Sequence, residues 1–149
     1  VGKQGWLDQN IIHQINNDPR LIDRVLVLHD VSDIDLSYLY QKAQFTVFPS
    51  IYEGWGLPIS ESLCFGTPCI ASGVSSMLEI APGLVNHVSP MDVIAWAREI
   101  RRLADDSQEL LLLRQKIQGS YTPTDWSVTA SEIVKVLLNR FPILGESSV

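Results

Sequence analysis

An α/β domain with a parallel sheet and helices on both faces is the fold this sequence predicts, and three observations carry the prediction. Short, mostly apolar runs recur at residues 25–28, 45–48 and 68–71, the pattern of strands covered on two faces rather than one. Between the runs, apolar residues repeat at helical spacing. From Asp92 onward the helical spacing persists with no further strand run. Strands alternating with helices in this order indicate a parallel sheet closed by crossover helices. With 149 residues, 46% of them hydrophobic, there is material for one core, so a single unit spanning 1–141 is expected.

The elements follow in order. Val1-Gly2-Lys3-Gln4-Gly5 reads as the end of a strand and its turn, so a segment upstream is expected. Trp6, Ile11, Ile12 and Ile15 mark a first helix, stopped by Asn16-Asn17-Asp18-Pro19. Val25-Leu26-Val27-Leu28 is a first buried strand ending at His29-Asp30. Ser32 with Asp35 forms a capping-box pattern, and Leu36, Leu39, Tyr40 and Ala43 continue it as an amphipathic helix. Phe45-Thr46-Val47-Phe48 is a second buried strand stopped by Pro49. A glycine-rich turn over 53–56 leads into a helix over 57–65, for which Gly66 is the C-terminal cap. Pro68-Cys69-Ile70-Ala71 gives a third strand, and Leu84-Val85 with Val88 a fourth. Val93, Trp96, Ile100 and Leu103 mark a helix face, and Ile117 closes another helix after Leu110-Leu111-Leu112-Leu113. Thr124 or Asp125 caps a last helix carrying Ile133, Val134, Val136 and Leu137, which ends before Pro142; residues 142–149 read as a frayed tail.

Charge and composition restrict the function. A formal net charge of −6 offers no general attraction to polyphosphate, which argues against nucleic acid as a partner and requires any bound phosphate to be held locally. No run approaches the ~20 apolar residues of a membrane span, and the first residues show no basic segment followed by an apolar run, so neither insertion nor secretion is expected. Cys64 and Cys69 lack metal-type spacing and read as buried structural thiols in a reduced, cytoplasmic setting. His13, His29 and His87 are too dispersed for a histidine site. Asp33-Ile34-Asp35 resembles a D-x-D metal motif, but Ser32 and Asp35 are better explained as a helix cap. No metal and no cofactor are expected.

In a parallel α/β sheet, ligands bind beyond the carboxyl ends of the strands, so the loops after His29, Ser50 and Ser72 are the candidate site walls. The middle loop, Ser50-Ile51-Tyr52-Glu53-Gly54-Trp55-Gly56-Leu57-Pro58-Ile59-Ser60-Glu61, is the informative one. Its glycines let backbone amides approach a ligand, and a helix start attracts an anion such as a diphosphate. Pro58 suits the first helical turn, at the loss of one donor. Glu53 lies before the helix and Glu61 one turn inside it, so two carboxylates flank the anion position. Carboxylates accept hydrogen bonds from vicinal hydroxyls, which fits a diphosphate with a diol at either end, the anatomy of a nucleotide sugar.

The stretch Phe48-Pro49-Ser50-x-x-Glu53-Gly54-x-Gly56-Leu57-Pro58-x-x-Glu61, with Gly66-Thr67-Pro68 beyond it, closely resembles the E-x7-E signature of family 4 retaining glycosyltransferases. Val31-Ser32-Asp33 before it and Ser75-Ser76-Met77-Leu78-Glu79 after it are also similar to that family, over roughly residues 1 to 105. The resemblance implies a Rossmann-like domain that is the donor-binding half of a GT-B architecture. It implies that Glu53 is the catalytic-site carboxylate on the donor sugar, helped by the amides of Gly54, Trp55 and Gly56. The Leu57 and Ile59 amides would face the diphosphate, Glu61 the ribose hydroxyls, and Val31 and Asp33 the base. Glu79 is either a cap beside the sugar or structural. The family's diphosphate-binding arginine and lysine would precede this chain, as would the acceptor domain, so the isolated chain is expected not to transfer sugar.

Family members transfer with retention and without metal. The implied reaction moves a hexose from a UDP- or GDP-sugar, UDP being favoured by family frequency, to a glycan or lipid-linked acceptor. The full enzyme would be cytoplasmic, with peripheral association at the inner face of the membrane. The alternatives are a non-catalytic nucleotide-sugar-binding or interaction domain of the same fold, and a nucleotide-sugar epimerase.

Overall fold

The structure, a computed structural model, describes residues 1–2, 9–123 and 125–141. The expectations for Lys3, Gln4, Gly5, Trp6 and Thr124, and for the tail at 142–149, lie outside the described residues. Where the sequence suggests one unit, the chain divides into two compact ones, Val1–Ala43 and Gln44–Val149.

In the first unit, helix α1 spans Gln9–Asn17. It ends where the Asn17 amide donates to the His13 carbonyl at 2.7 Å, and Asp18 then turns the chain by accepting from the amide and guanidinium of Arg20. The Arg20 side-chain bond holds the Asp18 carboxyl below its ordinary value. Helix α2 spans Asp33–Lys42 behind the expected cap: the Asp35 amide donates to Ser32 Oγ at 3.2 Å, and Ser32 Oγ donates back to Asp35 Oδ2 at 2.7 Å. The strand expected at 25–28 does not form. Val25 and Leu26 are 43% and 78% exposed. A strand exists through its ladder, and among the described residues the backbone here makes a turn bond from the Val25 amide to the Leu21 carbonyl and one longer-range bond from the Gly2 amide to the Leu28 carbonyl.

The second unit holds a three-stranded parallel sheet in the order β1 (Thr46–Phe48), β2 (Cys69–Ser72), β3 (Asn86–Val88). Helix α3, Leu57–Cys64, joins β1 to β2, and a short 3-10 helix, Ser75–Glu79, lies between β2 and β3. Helices α4 (Val93–Asp105), α5 (Ser107–Ser120) and α6 (Trp126–Arg140) complete it.

The central strand explains the core. All four residues of β2 are buried, and their alternation sends Cys69 and Ala71 to one face and Ile70 to the other. On the first face they pack with Ile59 and Leu63 of α3, Met77, and Ile117 of α5. On the second, Ile70 and Val88 pack with Trp96 and Leu103 of α4 and Leu110 of α5. Helices thus cover both faces, as the aliphatic runs imply. β1 is less buried than expected: as an edge strand its Val47 is 40% exposed. Val93, read as part of the buried face of α4, is 76% exposed at the first residue of the helix.

Polar groups fix the joints. Ser62 of α3 is fully buried; its hydroxyl lies 2.8 Å from Thr46 Oγ1 and donates to the Thr67 carbonyl at 2.9 Å. That bond ties β1, α3 and the turn into β2 together. Gly66 ends α3 at φ +69°, the left-handed conformation expected of the cap. Asp106 closes α4 through its amide and caps α5 through Oδ1, which accepts from Gln108 and Glu109. Arg102 bridges Glu99 and Glu109 across the same joint. Burial of Cys69 pushes its thiol up to about 11, whereas Cys64, expected buried, is exposed because it lies on the outward side of α3. No described helix is long and apolar enough to cross a membrane, and α6, capped by Asp125, buries none of its residues.

Candidate functional site

The loop from Ser50 to Gly56 runs from the carboxyl end of β1 to the start of α3, and hydroxyl groups set its shape. Ser50 Oγ lies 2.8 Å from Glu53 Oε1 and 3.1 Å from the Tyr52 carbonyl. From the other side of the loop, Ser75 Oγ and Ser76 Oγ both donate to the Glu53 carbonyl, at 3.0 and 3.1 Å. Glu53 is therefore held at backbone and side chain, half-buried, with its second carboxylate oxygen left to accept from a ligand. The 3-10 helix that carries Ser75 and Ser76 is pinned in turn by His87, whose Nε2 lies 3.1 Å from the Met77 carbonyl.

The two glycines of the loop differ. Gly56 is the N-cap of α3 at φ +88°, and a Cβ there would meet Met77 Cγ at 3.2 Å and the Cδ1 atoms of Ile59 and Ile80 at 3.3 Å. The fold itself requires it. Gly54 has no such constraint: nothing lies within 4 Å of the position its Cβ would take. A residue without a side chain, facing open space beside a held carboxylate, is where a ligand can meet backbone directly.

Helix α3 starts with no side-chain cap, so the Leu57 amide has no intrahelical acceptor and the positive end of the helix stays open to an anion. Ile59 differs from expectation. Its amide donates to the Gly56 carbonyl at 3.0 Å and its side chain is fully buried in the core. The tight turn that Gly56 makes thus takes the Ile59 amide out of the set free to face a diphosphate.

Trp55 is 51% exposed. It lines, with Glu61, a cavity of about 760 Å³ along the outer side of α3; Glu53 and Gly54 are not among the lining residues. Val31 and Asp33 belong to the first unit, where Val31 is half-buried and Asp33 is the exposed first residue of α2. The second unit therefore brings together Glu53, Gly54, Trp55, Gly56 and Leu57, with Glu61 one turn further on. Ser50, Ser75 and Ser76 emerge as positioning residues that the sequence reading gave no role. Their signal was the repeated hydroxyl on both sides of the glutamate, which acquires meaning only once the two loops are seen to touch. Among the described residues, no three His, Cys, Asp or Glu side chains are grouped to hold a metal ion.

A family model described as "Glycosyl transferases group 1" matches residues 5–119. The O-antigen chain mannosyltransferase B of Escherichia coli is 38% identical over 108 residues, covering 71% of this chain and 28% of that protein. The O-antigen chain mannosyltransferase RfbU of Salmonella typhimurium is 36% identical over 92 residues, covering 62% of this chain and 26% of its own length. Among solved structures, sucrose-phosphate synthase from Thermosynechococcus elongatus superposes with a TM-score of 0.74 at 26% identity, over 95% of this chain and 36% of the synthase. The chain thus spans about a quarter to a third of the length of these proteins.

Proposed function

Because this chain belongs to the group 1 glycosyl transferases, we propose that it supplies the nucleotide-sugar-binding half of a retaining transferase that moves a hexose from a UDP- or GDP-sugar to a glycan or lipid-linked acceptor. The observation that carries the reading is the loop from Ser50 to Leu57. A carboxylate fixed at both ends, an unobstructed glycine and an open helix start follow one another within eight residues. Glu53 accepts hydrogen bonds from the hydroxyls of the donor sugar, and Gly54, Trp55 and Gly56 approach it with backbone. The Leu57 amide and the helix start attract the diphosphate. Glu61 holds the ribose hydroxyls, and Val31 and Asp33 take the base.

Donors aimed at the leaving diphosphate stabilise the charge that grows as the glycosidic bond breaks, without reorganising at the moment of reaction. The diphosphate then takes the acceptor's proton on the face it leaves, so the configuration is retained and neither a covalent nucleophile nor a metal is needed. The names of two relatives, both O-antigen chain mannosyltransferases, support mannose as the hexose and a polysaccharide chain as the product; in this reading the transfer takes place in the cytoplasm at the inner face of the membrane. The reacting end of the acceptor would be bound by a further domain, and the isolated chain would not turn over, because transfer needs both substrates held in one cleft.

Calorimetric titration with UDP, GDP and their sugars, on the chain and on a Glu61→Ala variant, tests this reading. Millimolar or tighter binding of one nucleotide, weakened in the variant by about 1 to 3 kcal/mol, is expected. Failure of every nucleotide to bind, by this chain and by the full-length protein alike, would sink it.

A further inference from the structure

The cavity of about 760 Å³ beside α3 is not used by the donor reading except at its edge, through Trp55 and Glu61. Its size falls within the roughly 300–1,000 Å³ of small-molecule sites. Its walls come from three places far apart in sequence: the outer side of α3, residues 79–84, and the end of α5 with the segment after it. The chemistry of those walls is specific. Trp55 offers a half-exposed indole at one edge and Tyr121 a second ring. Glu61 and Glu79 are carboxylates. Lys116 is the cation of the cavity, and its ammonium is engaged with the Gly83 carbonyl at 2.8 Å. Cys64 adds an exposed thiol.

Among the described residues that line it, the charged ones are Glu61, Glu79 and the tethered Lys116, which offer a diphosphate no excess of positive charge. Leu57, at the positive end of α3, is not among the lining residues, so the dipole of that helix does not supply it. Burial raises the Tyr121 phenol above its ordinary value, keeping it a neutral hydroxyl that can donate as well as accept. Exposed aromatic faces for C–H surfaces, with carboxylates and hydroxyls for vicinal diols, suit an uncharged polyol. The cavity begins at Trp55, two residues from the carboxylate proposed to meet the donor sugar.

We propose that this cavity is a glycan subsite: it binds an uncharged hexose unit of the acceptor or growing chain through Trp55, Glu79 and Tyr121, with Glu61 left to the nucleotide at its edge. The proposal rests on the transferase reading for the identity of the glycan, while the binding it asserts is separable from nucleotide binding.

The test is a titration of the isotopically labelled chain, followed by its amide and indole NMR signals, with two neutral trisaccharides, one of glucose and one of mannose, and separately with UDP and GDP. The expected result is millimolar binding of a trisaccharide that shifts the Trp55 indole and the Glu79 and Tyr121 amides. Glu79→Gln should weaken it about tenfold, and Tyr121→Phe should weaken it while leaving the spectrum folded. A folded chain whose signals at these residues ignore both trisaccharides would overturn the proposal, whatever the nucleotides do. So would UDP or GDP shifting Glu79 and Tyr121 in place of the saccharide, since the cavity would then belong to the nucleotide. Saccharide binding here without any nucleotide binding would uphold the subsite and count against the donor site instead.

Discussion

At the scale of single residues, the loop separates what the fold needs from what a ligand needs. Gly56 sits at positive φ with three side-chain atoms around its missing Cβ, so Gly56→Ala should cost about 1 to 3 kcal/mol in urea unfolding. Gly54→Ala should leave the unfolding midpoint unchanged and weaken nucleotide-sugar binding, because only a ligand would meet the added methyl. Equal losses of stability in the two variants would refute that division. Ser62 is another residue whose value lies inside the protein. Replacing it with alanine removes the hydroxyl that joins Thr46 Oγ1 to the Thr67 carbonyl, an expected loss of about 1 to 3 kcal/mol in urea unfolding.

Cys69 makes a pH prediction. Its thiol is raised from 9.0 to about 11 by burial, so the folded state keeps a proton that the unfolded state releases. Stability is complete below pH 9 and falls as pH rises from 9 towards 11, by about 2 to 3 kcal/mol. Unfolding midpoints of the parent and of Cys69→Ala across that window check it; the variant should lack this part of the slope.

At the scale of elements, the sequence was legible wherever a local rule decided the structure. Ser32 and Asp35 announced the start of α2, Gly66 the end of α3, and the aliphatic run at 69–71 a strand buried on both faces; each depends on residues a few positions apart. Val25-Leu26-Val27-Leu28 reads the same way as β2 but forms no strand, because a strand depends on a partner and not on its own composition. The Ile59 amide depends on its surroundings in a similar way: the turn that Gly56 makes gives it an acceptor within the chain. The hydroxyls of Ser75 and Ser76 reach the Glu53 carbonyl from more than twenty residues away, and nothing in their neighbourhood announces it. The α4–α5 joint gives the prediction proper to this scale. Asp106→Ala removes the N-cap of α5 and should cost about 1 kcal/mol, measured by thermal or urea unfolding, with the Arg102 bridge still in place.

At the scale of the whole molecule, an acidic chain with net charge −6 is proposed to bind an anion, and the contradiction is resolved locally. Attraction comes from backbone at an open helix start rather than from a basic surface, so donor binding should depend only weakly on ionic strength. The cavity wall from Lys116 to Tyr121 was invisible in the sequence, as it lies more than thirty-five residues from the glutamates it faces.

The most direct test of the central claim is residue-resolved NMR of the labelled chain during titration with GDP-mannose and UDP-glucose. The account predicts that one of them binds and moves the amide signals of Gly54, Trp55, Gly56 and Leu57, with Ser75 and Ser76 following and Ile59 little affected. A nucleotide sugar that binds while leaving those loop amides in place would contradict it.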